Sequence, residues 1–170
     1  MGPRLFSPFI SNAMPLAAIL LVAVCALPVG AASKNPFDQL KGYWSGAGTV
    51  TPINGKAEKV SCKVTYSVTG ADVSQNIRCA GTDYKFNTAS KLTYNAGKIS
   101  GSWKENTYDA AGAVTGTASG ETVHARISGD KFSGRMSISI KGGKAHSINI
   151  VQLDRKSGAY RPVANVSVRR

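Results

Sequence analysis

The sequence is poor in the residues that carry most enzyme chemistry. It has 2 histidines and 3 cysteines among 170 residues, and His124 and His146 do not stand at a metal-binding spacing. Motifs of a serine hydrolase, a zinc protease or a phosphate-binding loop are absent from it. We therefore expect no catalytic residue, no metal site and no cofactor, and each histidine is expected to be solvated or hydrogen-bonded. The protein is predicted not to be an enzyme.

Acidic residues are also scarce. The chain has 9 aspartates and glutamates against 21 lysines and arginines, which gives a formal net charge of +12. Such an excess attracts anionic surfaces and polymers, although a basic composition also serves solubility alone. Nucleic acid is not expected as a partner, because the aromatic residues are not interleaved with the bases on one exposed face as stacking platforms require.

One long hydrophobic run stands in the sequence, from Leu16 to Leu27. It is shorter than the roughly 20 residues that span a bilayer. With Arg4 before it and small residues after it, the run predicts a secretory signal peptide over 1–32, cleaved after Ala31 or Ala32, and Cys25 leaves with it. The alternative is a retained N-terminal anchor. The prediction is a periplasmic or secreted protein whose mature chain, 33–170, has no transmembrane span and forms one β-barrel domain.

Helical periodicity is missing from the rest of the chain, where apolar and polar residues alternate between closely spaced turn signals. That pattern predicts an all-β fold, a single antiparallel up-and-down barrel of about eight strands, with a flattened β-sandwich as the alternative. The glycine- and alanine-rich stretch 108–116 is predicted to be a mobile link. The predicted strands are 42–50, 58–68, 73–80, 83–94, 98–107, 115–127, 131–140 and 145–154, with a weaker segment at 162–168.

Two of the cysteines flank a short turn. A two-residue turn at Gly70-Ala71 sets Val68 opposite Val73 and Cys62 opposite Cys79, at a non-hydrogen-bonded pair where side chains approach most closely. A redox pair reads C-x-x-C, and a zinc site needs more ligands than these. In an oxidising compartment the geometry predicts a disulfide, worth about 3 kcal/mol in the loop-entropy description.

Two further hairpins have a predicted register. A turn at Gly129-Asp130 pairs Ile127 with Phe132, and by the same count His124 lies opposite Arg135. A three-residue turn at 142–144 pairs Met136 with Ile150.

The inward-facing residues suggest a ligand pocket. Strand alternation puts Trp103 and Glu105 on one inward face, so that a carboxylate lies beside an indole. A buried charge is costly without partners, so Glu105 is either a polar anchor in a cavity or a residue in water at an open strand end. The predicted pocket residues are Trp44, Tyr66, Trp103, Glu105 and Met136.

The outward faces carry many bases. The hairpin register places Lys63 opposite Arg78, and like charges that face each other across strands are mildly destabilising. Either an anionic partner neutralises this face, or it is a solvated cationic surface. The predicted anion-binding residues are Lys63, Arg78, Arg126 and Arg135.

The motif Gly42-x-Trp44 in "LKGYWSGAGTV" resembles the G-x-W signature of the calycin superfamily, which includes lipocalins and avidin-like proteins. The resemblance implies an eight-stranded barrel in which the tryptophan closes one end. In lipocalins a late arginine packs on that tryptophan, a role that falls to Arg155 here. The chain lacks the T-D-Y-x-x-Y motif and the C-terminal helix of lipocalins.

A second resemblance covers nearly all of the predicted mature chain. The segments "GYWSGAG", "EKVSCKVTY", "QNIRCAG", "ISGSWKE" and "FSGRMS" are similar to those of a group of small exported alphaproteobacterial proteins of unassigned function. The resemblance implies a bacterial envelope address and no activity. Two hypotheses remain open: a binding protein with a small ligand inside its barrel, or a cationic structural or interaction protein that binds anionic envelope polymers.

Overall fold

The described residues of the chain fold into ten β-strands and one short 3₁₀ helix. The structure, a computed structural model, describes Gly2 and residues 34–170. The predicted signal peptide lies, apart from Gly2, outside the described residues. The 3₁₀ helix is Pro36–Gln39, and the strands are β1 Gly42–Val50, β2 Glu58–Thr69, β3 Asp72–Ala80, β4 Lys85–Asn95, β5 Lys98–Glu105, β6 Ala110–Ser119, β7 Thr122–Gly129, β8 Gly134–Lys141, β9 Ala145–Leu153 and β10 Tyr160–Arg169.

The ten strands form a closed antiparallel barrel. Each strand pairs with its neighbours in sequence, and β1 pairs with β10 to complete the ring. Burial alternates along most strands, as in β2, where every second residue from Val60 to Val68 is buried. Closure leaves no free strand edge, and the alternation turns one apolar face inward to form the core. Among the described residues, none of the helices has the length and apolarity that crossing a bilayer requires.

The prediction of an antiparallel barrel is confirmed, but the number of strands is ten rather than eight. The predicted strand 115–127 is two strands, β6 and β7, which are joined by a tight turn at Gly120, whose φ is +56°. The weak segment at 162–168 is a full strand, β10. Residues 110–116 of the stretch predicted to be a mobile link lie in β6, whose small residues hide the alternation. Gly112 shows why they are small: a Cβ there would lie 1.7 Å from the carbonyl oxygen of Ser128.

The cysteine hairpin has the predicted register. Val68 pairs with Val73 and Cys62 with Cys79. The two cysteines form a disulfide, with their Cα atoms 4.1 Å apart. This prediction is confirmed.

The register predicted for the next hairpin is wrong by two residues. Ile127 pairs with Gly134 rather than Phe132, and Arg126 rather than His124 lies opposite Arg135. The turn is longer than two residues because residues 130–133 leave the sheet. The pairing of Met136 with Ile150 is as predicted.

The two ends of the barrel differ, and the turns show the difference. The end called here the closed end carries the short turns at 70–71, 96–97, 120–121 and 142–144, together with the 3₁₀ helix. The opposite end, called the open end, carries the longer loops at 51–57, 81–84, 106–109, 130–133 and 154–159. Phe37 and Leu40 are buried at the closed end, and Trp44 Nε1 donates to the Leu40 carbonyl over 2.6 Å.

The arginine that packs on Trp44 is Arg170, not Arg155. The Arg170 guanidinium lies 4.5 Å from the centre of the Trp44 ring and donates to the carbonyls of Gln39 and Lys41. Arg155 lies in the loop between β9 and β10 at the open end, where it donates to the Gly129 carbonyl. The prediction failed because one further strand follows Arg155 and carries the chain back to the closed end.

Candidate functional site

The barrel holds a cavity of about 270 Å³ that begins at the open end. Inward side chains from nearly all strands line it, and residues of four open-end loops form its rim. The lining residues are Val50, Pro52, Gln75, Ile77, Cys79, Tyr84, Phe86, Thr88, Ser90, Leu92, Trp103, Glu105, Tyr108, Ala110, Val114, Ile127, Lys131, Phe132, Met136, Ile148, Ile150, Gln152, Val163, Ala164 and Val166. Most of these side chains are apolar.

The structure divides the five predicted pocket residues between two places. Trp103, Glu105 and Met136 line the cavity. Trp44 and Tyr66 do not line it and lie instead in the closed end. Strand alternation puts all five on inward faces but gives no measure of height along the barrel. The strand register supplies that height, because Trp44 and Tyr66 lie at the closed-end limits of β1 and β2.

A buried polar cluster separates the cavity from the closed end. Gln75 Nε2 donates to the Tyr66 hydroxyl over 3.0 Å, and a hydrogen bond of 3.3 Å joins that hydroxyl to His146 Nε2. The His146 ring meets the Trp44 ring edge-on, with 4.6 Å between centroids. Gln75 thus forms part of the cavity floor, and His146 lies beneath it.

Both titratable groups of this cluster are held neutral. Burial, with the charge of Arg170 as a second cause, lowers the pKa of His146 to about 4. Burial raises the pKa of Tyr66 well above its usual value, which the hydrogen bond from Gln75 only partly offsets. His146 Nδ1 is buried and has no hydrogen-bond partner. The floor of the cavity is therefore uncharged at neutral pH.

Glu105 is a charged cap on a loop. Its Oε1 accepts from the backbone N–H groups of Asn87 and Thr107, and its Oε2 accepts from that of Tyr108 over 2.6 Å. Burial raises the pKa of Glu105, but these hydrogen bonds outweigh burial and hold it below the usual value. Glu105 is 3% exposed and lines the cavity, yet the partners of its carboxylate are backbone N–H groups, so neither alternative from the sequence describes it fully.

One wall of the cavity is polar while the facing wall is apolar. Thr88 and Ser90 point inward from β4, and Gln75 of β3 lies directly opposite Ser90. The Thr88 hydroxyl oxygen is buried and has no hydrogen-bond partner. Across the cavity, β8 and β9 present Met136 and Ile150. An apolar body would thus contact one wall, with hydrogen-bonding groups available on the other.

Aromatic side chains and one cation surround the mouth. The rings of Tyr84 and Tyr108 lie 6.0 Å apart, and Phe132 packs edge-on against Trp103 at 5.9 Å. Burial, with smaller effects of Tyr108 and Glu105, raises the pKa of Tyr84 to about 12. Lys131 Nζ donates to the Tyr108 carbonyl over 3.2 Å. This rim was not predicted, because its members lie in or beside loops, where alternation does not indicate which way a side chain points.

The predicted cationic residues form two pairs on the outer face. Lys63 lies opposite Arg78, and Arg126 lies opposite Arg135. Within residues 34–170 the ion pair is that between Arg161 and Asp154, so none of these four bases pairs with an acid there. Arg126 and Arg135 line a shallow outer groove, and the Arg135 guanidinium lies 4.1 Å from the centre of the Tyr160 ring.

No group of three or more histidine, cysteine or acidic side chains suited to a metal ion occurs in the described part of the chain. The bonds made by Glu105 occupy three of its acceptor sites with structural donors.

Comparison with known proteins identifies the fold and no family. No family model and no curated protein matches the sequence. Among solved structures, Rv2717c from M. tuberculosis superposes with a TM-score of 0.64 at 11% identity, covering 79% of this chain and 96% of that one. The S-type phycobiliprotein lyase CPES from Guillardia theta gives 0.53 at 14% identity, covering 79% and 90%. These likenesses agree with a calycin-like barrel, and the alphaproteobacterial resemblance stays a prediction.

Proposed function

We propose that this protein is an exported binding protein that holds one small, largely apolar molecule inside its barrel. The observation that carries the proposal is the cavity of about 270 Å³, which is open at one end and lined mainly by carbon. Small-molecule sites are typically concave and apolar with a few placed polar groups, and their volumes run from roughly 300 Å³ upward. The volume here favours a ligand at the small end of that range.

The fold comparison and the disulfide support parts of this proposal. One structural neighbour is named a phycobiliprotein lyase, so a barrel of this shape serves a protein that works on phycobiliproteins. The Cys62–Cys79 disulfide fits the oxidising compartment that the predicted signal peptide implies. We assign no catalytic step to the cavity, because backbone N–H groups of a loop hold both oxygens of the Glu105 carboxylate.

A neutral fluorescent probe tests the binding function. N-phenyl-1-naphthylamine, which brightens in apolar surroundings, should bind the wild-type protein saturably with one site. Ile150→Trp places a large ring inside the cavity and should weaken binding by about tenfold or more, because a close-packed space cannot hold both. The matched control is Val151→Trp on the outward face of the same strand.

The two variants separate the cavity from the surface. If Val151→Trp and Ile150→Trp bind the probe equally well, the probe sits outside the barrel and the proposed function is wrong. Native mass spectrometry of the protein purified from its own host adds an independent test, since a retained molecule should appear as one defined mass increment.

A second candidate function is binding to an anionic envelope polymer through the outer face. The observation that favours it is the pair of like-charged contacts, Lys63 with Arg78 and Arg126 with Arg135, in which like charges repel across the strands. An anionic partner would relieve both repulsions. Binding that strengthens as salt is lowered is the direct signature.

A further inference from the structure

The charges of the barrel are divided unequally between its two ends. Each end is taken as its turns or loops with the strand residue on either side, and the segments 34–41 and 169–170 belong to the closed end. The open end has 5 lysines and arginines against 6 acids. The closed end has 7 against 3, and its bases are Lys34, Lys41, Lys98, Lys141, Lys144, Arg169 and Arg170. The closed end is therefore the more electropositive end of the described molecule.

Four of these bases surround the place where β8, β9, β10 and β1 meet. Lys141 of β8 and Arg169 of β10 lie on either side of Ala145, because both pair with that residue. The backbone N–H of Arg170 donates to the carbonyl of Lys144 in the β8–β9 turn, and its guanidinium donates to the Lys41 carbonyl over 2.9 Å. The four exposed bases at this place are called here the basic cluster: Lys41, Lys141, Lys144 and Arg169.

The basic cluster has no paired acid and has an exposed aromatic ring beside it. Within residues 34–170 no acid forms an ion pair with these four bases, and Glu121 of the neighbouring turn accepts from the Gly142 N–H instead. Tyr43 is 65% exposed on β1, and it lies between Lys41 and the residue that pairs with Arg169. A tyrosine ring with a polar tip is favoured where an apolar layer meets water. The combination of unpaired bases and one exposed ring is typical of a protein surface that meets lipid headgroups.

The N-terminal segment joins the barrel at the same end. Asn35 Nδ2 donates to the carbonyl of Gly70, which lies in a closed-end turn. Phe37 and Leu40 are buried there and fix the chain to the barrel. An anchor retained before Lys34 would therefore be tethered to the closed end and not to the mouth of the cavity.

From these features we infer that the closed end docks on an anionic lipid bilayer, with the basic cluster against the headgroups and the Tyr43 ring in the interfacial layer. The mouth of the cavity then faces away from the bilayer, so a ligand reaches it from the water. The bases involved differ from the two pairs of the second candidate function. The inference does not depend on whether the cavity binds a ligand.

Co-sedimentation with vesicles of defined lipids tests this surface. The protein should bind vesicles of phosphatidylcholine that contain phosphatidylglycerol, and it should not bind phosphatidylcholine alone, because the attraction is to the anionic headgroup. Lys141→Glu with Arg169→Glu should weaken binding by about tenfold or more, since each base near an anionic surface contributes about 1 kcal/mol. Raising the salt concentration should weaken binding of the wild-type protein in the same direction.

The matched control changes the net charge equally at the opposite end. Lys56→Glu with Lys85→Glu alters two exposed bases of the open end and should leave binding within about twofold of the wild type. The urea midpoints of both double variants should equal that of the wild type, which shows that a loss of binding is not a loss of folding. Equal weakening in the two double variants would mean that the total charge attracts the protein, and the docking surface would be refuted.

A tryptophan reporter tests which end contacts the bilayer. Tyr43→Trp should be quenched on vesicles whose acyl chains carry bromine, because its ring enters the interfacial layer. Tyr160→Trp, at the open-end limit of β10, should show no more quenching than the wild type, whose Trp44 and Trp103 are buried. Stronger quenching of Tyr160→Trp than of Tyr43→Trp would reverse the orientation and overturn the inference.

A soluble polyanion separates a bilayer from a polymer as the partner. If the protein binds dextran sulfate but neither kind of vesicle, the closed end is no bilayer-docking surface and the second candidate function gains support. The fluorescent probe measures the cavity independently, so a failure of vesicle binding leaves the proposed ligand-binding function standing, and a failure of probe binding leaves the docking surface standing.

Discussion

His146 is a titratable residue that is almost fully removed from water. It is 1% exposed, and it contacts Tyr66 and Trp44 while the Arg170 charge lies nearby. Its pKa of about 4 in the folded protein lies well below the usual value of about 6.5 expected in the unfolded chain. The imidazole therefore stays neutral in the fold at pH values where the unfolded chain already binds a proton.

This difference predicts a loss of stability on acidification. Because the unfolded state binds more protons, the free energy of unfolding should fall as pH drops from about 6.5 to about 4, by about 2 kcal/mol after allowance for solvent screening of Arg170. Urea unfolding at pH 7.5, 6.0 and 4.5 measures the slope. His146→Gln should lower the free energy of unfolding at pH 7.5 but reduce its dependence on pH. His124→Gln, at an exposed site, should leave that pH dependence unchanged. An unaltered slope in His146→Gln would contradict the assignment.

Individual residues also show what sequence reasoning can reach. Alternation placed Glu105 inward beside Trp103, since the period of a strand is two. Its role as a cap depends on where the N–H groups of Thr107 and Tyr108 point, which is a property of the loop conformation. The alternation of β9 puts His146 on the inward face, but its neighbours Trp44 and Tyr66 come from strands far away in the sequence.

At the scale of elements, the β2–β3 hairpin is joined twice, once by its turn and once by the disulfide. The disulfide closes a loop between cysteines separated by 17 positions. Removing it in the Cys62→Ala, Cys79→Ala double variant should lower the free energy of unfolding by about 3 kcal/mol, because the unfolded chain regains loop entropy. Urea unfolding of the variant checks this.

Reduction of the wild-type protein supplies the control. In dithiothreitol its unfolding midpoint should move to that of the double variant, which should itself be unaffected by the reagent. A wild-type midpoint indifferent to reduction would show that the hairpin does not depend on the bond.

Turn length decided which hairpin registers were predictable. The turn at Gly70-Ala71 has a glycine in the required conformation, with φ +59°, so the count of opposite residues held from Thr69 to Ser61. At Gly129 the same reasoning failed, because Phe132 packs on Trp103 and the turn is longer. Strand β6 was missed for a related reason, since close approach of β7 requires glycine at Gly112 and glycine carries no hydrophobic signal.

For the whole molecule, strand order and burial separate two surfaces with different chemistry, an apolar interior and a basic exterior. The second candidate function depends on the exterior. Two double variants reverse the charge of one pair each: Lys63→Glu with Arg78→Glu, and Arg126→Glu with Arg135→Glu. Each should weaken binding to lipopolysaccharide-containing vesicles by about tenfold or more, because each base near an anionic surface contributes about 1 kcal/mol. Vesicle co-sedimentation at 50 and 300 mM salt measures the effect and its screening.

A variant with the same net charge distinguishes binding by the paired bases from attraction by the total charge of the protein. Lys98→Glu with Lys104→Glu changes the total by the same amount at positions opposite uncharged residues. If this control weakens binding as much as the paired variants, attraction is non-specific and the cationic pairs form no site.

Global closure was the part of the fold that sequence could indicate only in outline. Successive hairpins predict an up-and-down order, and an exposed pair of edges predicts closure. The end at which each loop lies depends on the parity of the strand count. One strand more than predicted between Trp44 and Arg155 puts Arg155 at the open end, and β10 then brings Arg170 back to the closed end beside Trp44. Whether the interior is filled or hollow depends on side-chain volumes summed around the ring, which no local pattern contains.

The seam between β1 and β10 has a mechanical consequence. β1 begins and β10 ends at the closed end, and the two strands are antiparallel neighbours from Ser45–Arg169 to Val50–Ala164. Interstrand hydrogen bonds lie perpendicular to the strands, so tension between Gly42 and Arg170 loads them one after another, beginning with the outermost pair. The barrel thus opens under tension like a zipper, at low force, although the same closed ring resists heat and denaturant as one cooperative unit.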